Sequence, residues 1–167
     1  MTVSTHAATL GTRTRPSCKA MSHPVYLIVY HSPIFAAHWA LWVPVITDGA
    51  EGAVGKVLQV EGSASEGFAY EIMRNHDLGA CSRRKSLVPL CSVDAAYVDD
   101  KEDTLERLAL SVPPPTPSLR SASVTEARTR VEMKNCQTWL REVAAVMVEN
   151  DVFPSEVLVK LDDAPKN

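Results

Sequence analysis

The segment Ile34–Val43 (IFAAHWALWV) is apolar on both of its alternating faces. Ala37, Trp39, Leu41 and Val43 fall on one side; Ala36, His38, Ala40 and Trp42 fall on the other. Side chains alternate across a strand, so a strand apolar on both sides has to be covered on both. The pattern therefore predicts a central strand in a sheet, ended by Pro44. Its one ionisable residue is His38.

The neighbouring segments supply partners for that strand. Val25–Tyr30 (VYLIVY), rich in β-branched and aromatic residues, reads as a buried strand. Residues 48–52 are turn material, and strands are expected over Lys56–Glu61 and Gly67–Met73, followed by a polar connection over 74–85. Ser86–Val93 contains Pro89, which assigns it to an edge or a bulge. Thr104–Leu110 reads as a short helix. The Pro/Ser-rich stretch 112–123 reads as an exposed, poorly ordered loop. From Asn135 to Asn150, Trp139, Val143, Val146 and Met147 recur at helical spacing behind an N-cap asparagine. A short final helix over Ser155–Leu161 completes the order. Strands first and a long helix later make the fold class α+β.

The chain has 167 residues, 46% hydrophobic and 22% charged, a balance that suits a single globular domain. That domain is expected over 25–161, after a polar disordered leader at 1–24 and before a tail at 162–167. The net charge of −3 gives no general field favouring nucleic acid or anionic lipid. The apolar run after the His31-Ser32-Pro33 break is shorter than the ~20 residues of a spanning helix. The leader has no apolar signal core, so a cytoplasmic location and reduced Cys18, Cys81, Cys91 and Cys136 are expected. No CxxC or His/Cys spacing suggests zinc, and no cofactor is implied.

Two positions carry the candidate chemistry. His38 stands alone in an apolar strand, and Cys136 stands where the long helix begins. Each has an ordinary structural reading: a core histidine bonded to a neighbour, and a small buried hydrophobe. Taken together they suggest a nucleophile and its base. A helix N-terminus offers unpaired N–H groups and partial positive charge, and an adjacent imidazolium adds to both. They are far apart in sequence, so only the fold can bring them together.

The segments HWALWVP (38–44), VLQVEG (57–62) and NCQTWLREV (135–143) resemble the signature segments of the lecithin–retinol acyltransferase and phospholipase A/acyltransferase group. That group belongs to the circularly permuted papain-like, NlpC-type superfamily, in which histidine precedes cysteine along the chain. The resemblance spans about residues 25–150. It implies an antiparallel sheet packed against a C-terminal helix that carries the cysteine. Carried over by position, Cys136 is the nucleophile and His38 the base. Gln59 falls on a third polar position where many relatives have histidine. Glu61, on the same strand face, is the rival for orienting the imidazole. Tyr30 is a candidate for assisting the oxyanion, and Trp42 for lining an acyl pocket. Phospholipid-active relatives often carry a C-terminal hydrophobic anchor; LVKLDDAPKN offers none, which argues against a substrate presented in a bilayer.

The activity so implied is acyl transfer, by a thiol hydrolase or acyltransferase acting on a small-molecule or lipid-like acyl substrate through a thioester. The alternatives are an isopeptidase or peptidase of the same superfamily, with a protein substrate, and an inactive binding module that keeps the fold.

Overall fold

A computed structural model describes residues 22–98, 103–118 and 134–167. Five strands, β1 (Ser22–Tyr30), β2 (His38–Thr47), β3 (Ala50–Ser63), β4 (Gly67–Asp77) and β5 (Lys85–Asp94), form one sheet in the order β4-β3-β2-β1-β5. Every neighbouring pair is antiparallel. Three helices follow: α1 (Thr104–Ser111), α2 (Cys136–Glu149) and α3 (Glu156–Asp163). The fold is α+β.

β2 is the middle strand, and both of its faces are buried. Trp39, Leu41 and Val43 join Leu27, Val29, Leu58 and Val60 under the helices, where Trp139, Leu140, Val143, Ala144 and Met147 of α2 meet them. Ala40 and Trp42 join Ile28, Tyr30, Val57 and Leu78 on the opposite face. Burying such side chains stabilises by about 1.5–3 kcal/mol each, so the two-sided apolar pattern favours an interior place for β2. β5 is an edge strand, and the bulge in its pairing with β1 falls between Val25 and Tyr26, opposite Pro89 and Cys91.

Several boundaries differ from expectation. β2 begins at His38, four residues after Ile34. Ser32 Oγ accepts from the N–H groups of Ile34 (3.4 Å) and Phe35 (3.1 Å), and this turn leaves both side chains largely exposed. Nor does β2 stop at Pro44. That residue lies beyond Trp42, the last β2 residue paired with β1, and beside a bulge in the pairing with β3, so its missing N–H is tolerated. The opposing Gly55 is required there: a Cβ would lie 2.4 Å from the Val43 carbonyl oxygen. β3 and β4 run on at both sides of a tight hairpin, and β4 absorbs residues up to Asp77 that composition assigned to a connection.

The proline-rich stretch is another correction, at least over 112–118; residues 119–123 lie outside the described part. Proline removes donors but leaves carbonyls, and these are used. Val112 O accepts from Tyr70 Oη (2.7 Å) and Trp139 Nε1 (3.0 Å), while Pro115 O accepts from Phe68 N (2.9 Å). The segment is thereby fastened to β4 and α2, with Val112 and Pro115 buried. The leader expected at 1–24 lies outside the described residues up to 21, and β1 already includes 22–24. The tail expected from 162 starts inside α3 and then docks on the sheet, as its contacts below show.

Candidate functional site

Asn135 caps α2. Its side-chain oxygen accepts from Gln137 N (2.9 Å) and Thr138 N (3.1 Å), and Thr138 Oγ1 accepts from Asn135 N (3.4 Å) in return. Such a cap contributes about 1 kcal/mol and sets where the helix starts. It also occupies the second and third N–H groups of the first turn. The N–H of Cys136, the first helical residue, has no carbonyl ahead of it within the helix to bond.

One side chain brings the helix start to the sheet. Gln137 Nε2 donates to Ala37 O (2.8 Å) and to Lys166 O (3.1 Å). Gln137 follows Cys136 and Ala37 precedes His38, so this clamp sets the nucleophile candidate beside the base candidate. Ala37 N in turn donates to Lys166 O (2.8 Å), and Trp39 Nε1 to Pro165 O (2.9 Å). Cys136 is buried in the core on the helix side of the sheet, with Trp39 and Trp139, and its influence on the His38 imidazole favours the charged ring.

One imidazole nitrogen is spoken for. His38 Nε2 lies 3.0 Å from Gln59 Oε1 and 3.4 Å from Glu61 Oε1. Gln59 is only 4% exposed, and its Nε2 donates to Glu61 Oε1 (3.1 Å) and to Glu71 Oε2. Ionised carboxylates only accept, so the Gln59 amide has one possible orientation, with its oxygen toward His38. That oxygen accepts the Nε2–H, and Nδ1 is the ring nitrogen that Gln59 does not engage. Burial works against a charged imidazole here. Hydrogen bonding and charge attraction to Cys136, then the Gln59 hydrogen bond and the Glu61 charge, outweigh it and hold the His38 pKa above its ordinary value.

Tyr30 is paired with His38 across β1 and β2, and their rings stack with centroids 5.8 Å apart. The Arg83 guanidinium sits 4.3 Å over the Tyr30 ring, and the Tyr30 hydroxyl interacts with Cys81. Burial, followed by Cys81, pushes the Tyr30 pKa up to about 12, so it stays a neutral phenol. Trp42 is not brought to the pair. It projects from the same face two alternations further along β2, roughly 13 Å away at strand rise, and is 2% exposed against the edge of His76.

Sequence reasoning missed Glu71, Gln137 and the Cys81–Tyr30–Arg83 cluster. Glu71 could have been found: the hairpin closing at Ser63 and Gly67 pairs Gln59 with Glu71 by counting back along both strands. Gln137 had no such signal, because its partners are backbone carbonyls of distant segments.

Two further cysteines are described. Cys91 is half-buried; burial pushes its thiol up to about 11, against the pull of Lys160. Cys81 is unpaired, and Cys18 lies outside the described residues. Among the described residues, no helix is long and apolar enough to cross a membrane.

Residues 25–154 match a family model whose description is "Family of unknown function (DUF6540)". No curated protein and no solved structure matches the chain.

Proposed function

We propose that this chain, which belongs to the family of unknown function DUF6540, is a cysteine-dependent acyl-transfer enzyme. In this reading it is a circularly permuted papain-like fold, with Cys136 as nucleophile, His38 as base and then acid, and Gln59 as the group that orients the imidazole. The observation that carries the proposal is the Gln137 clamp together with the Gln59 amide. One sets the helix start against Ala37, and the other takes up Nε2 so that only Nδ1 can receive the thiol proton.

In the first half-reaction Nδ1 takes the proton from Cys136 Sγ, and the sulfur attacks an acyl carbonyl carbon. The carbonyl oxygen becomes an oxyanion, stabilised by the Cys136 N–H at the positive end of α2. Collapse of the tetrahedral species breaks the bond to the leaving group, which departs with the proton held on Nδ1. A thioester remains. In the second half-reaction Nδ1 takes a proton from water, or from an alcohol or amine acceptor, which attacks the thioester carbon. The second tetrahedral species expels the thiolate, which recovers the proton. The substrate is a small-molecule or lipid-like acyl compound.

Intact-mass measurement after exposure to a panel of activated acyl esters and thioesters tests this. The expected result is one added acyl group, lost in Cys136→Ala and failing to form in His38→Ala. Acylation that persists in Cys136→Ala at the wild-type rate would end the proposal.

A further inference from the structure

We propose that Glu71 is a positioning residue for His38, acting through the amide of Gln59. The inference rests on the acyl-transfer reading and adds to it the source of negative charge behind a histidine whose direct partner is neutral.

The geometry starts from strand register. Gln59 on β3 and Glu71 on β4 are cross-strand partners and project from the same face. His38, Tyr30 and Glu61 share that face. Glu71 accepts from Gln59 Nε2, and the same amide accepts from His38 Nε2 through its oxygen at 3.0 Å. An amide is a polarisable link. A carboxylate drawing on its N–H₂ increases the negative charge on its oxygen, and that oxygen faces the proton the imidazolium must share. Glu71 thus has two effects. It bars the amide from flipping, because the flipped amide would set its oxygen against a carboxylate, and it strengthens the hydrogen bond that holds Nε2–H.

Glu61 supplies a second acceptor to the same N–H₂ at 3.1 Å and also lies 3.4 Å from His38 Nε2. Its influence therefore reaches the ring directly as well as through Gln59. Glu71 has only the amide route among the contacts described here. The other groups facing His38 are Cys136 from α2 and Tyr30 from β1, with Arg83 over the Tyr30 ring.

The test is the imidazole titration of His38 in the full chain, followed by proton NMR and assigned by the signal that vanishes in His38→Gln. Glu71→Gln keeps an acceptor oxygen of similar reach but removes the charge. It should lower the His38 midpoint and slow acyl-adduct formation on the order of tenfold. Glu66→Gln, which removes an equal charge from the adjoining turn, should leave the midpoint unchanged. Glu71→Asp keeps the charge and should titrate above Glu71→Gln. In a Gln59→Met background, Glu71→Gln should have no further effect on the midpoint. The inference is overturned by a midpoint that Glu71→Gln does not move, or by a shift of equal size in Gln59→Met, which would mean action through space. The imidazole midpoint is read without substrate. A missing thioester would therefore sink the acyl-transfer reading alone, and an unmoved midpoint would sink this one alone.

Discussion

Gln59 shows how much can depend on one amide. Histidine or aspartate in its place would orient an imidazole by its own charge or tautomer. Glutamine has neither, and is committed only because two carboxylates occupy its donor side. Gln59→Ala should therefore reduce turnover tenfold to a hundredfold, the range expected for a group that acts through another. Cys136→Ala and His38→Ala should abolish turnover and leave thermal unfolding nearly unchanged. Steady-state rates with an activated ester, read beside melting curves, separate these cases. Cys91 is an internal contrast. With its thiol held near 11 by burial, iodoacetamide at neutral pH should leave it unlabelled in the native protein and label it once urea unfolds the chain. Labelling of native Cys91 as fast as in the unfolded chain would contradict that.

At the level of elements, α1 is joined to the sheet by charge as well as by Leu105 and Ala109. Asp103 caps α1, accepting from Glu106 N at 2.8 Å, and Lys56 of β3 bonds both Asp103 and Glu106. Arg74 of β4 adds a fork to Glu106 at 3.1 and 2.6 Å. Burial alone would raise the Glu106 pKa, but hydrogen bonds and charge from Arg74 and Lys56 bring it below the ordinary value. A folded-state pKa below the unfolded one adds stability above about pH 4.3, and that stability is lost as pH falls through the folded value. Glu106→Gln should remove this acid dependence and, with Lys56 still paired to Asp103, cost about 1–3 kcal/mol in urea unfolding. Gly55→Ala should cost on the order of 1–3 kcal/mol through its collision with the Val43 carbonyl. These elements also mark what the sequence made legible. The central strand, the edge strand with Pro89 and the capped helix at Asn135 each follow from local pattern. The start of β2, the docking of 112–118 and the ionic joint under α1 depend on distant partners, which local pattern does not contain. The candidate site divides the same way: His38 and Cys136 stand out as residue types in place, Gln59 comes forward only through the family resemblance, and Glu71 and Gln137 matter only through what they touch.

Across the molecule, the last residues close a ring of hydrogen bonds around the start of β2. Pro165 O accepts from Trp39 Nε1 at 2.9 Å, Lys166 O from Ala37 N at 2.8 Å and Gln137 Nε2 at 3.1 Å, and Asn167 O lies 3.0 Å from His31 Nδ1. Deleting 165–167 should lower stability by about 2 kcal/mol, or roughly 4–8 °C in melting temperature. Hydrogen exchange should quicken at the first turn of α2, and an unchanged exchange rate there would show that Gln137 alone holds the helix in place. The β3–β4 hairpin has a consequence of another kind. Gln59 and Glu71 are twelve positions apart, and their meeting depends on the number of residues in the turn between them. Gaining or losing a single one would turn alternate side chains to the wrong side of the ribbon. In diverging lineages that kept the glutamine and the glutamate, insertions and deletions should therefore be purged from this turn while its letters drift freely.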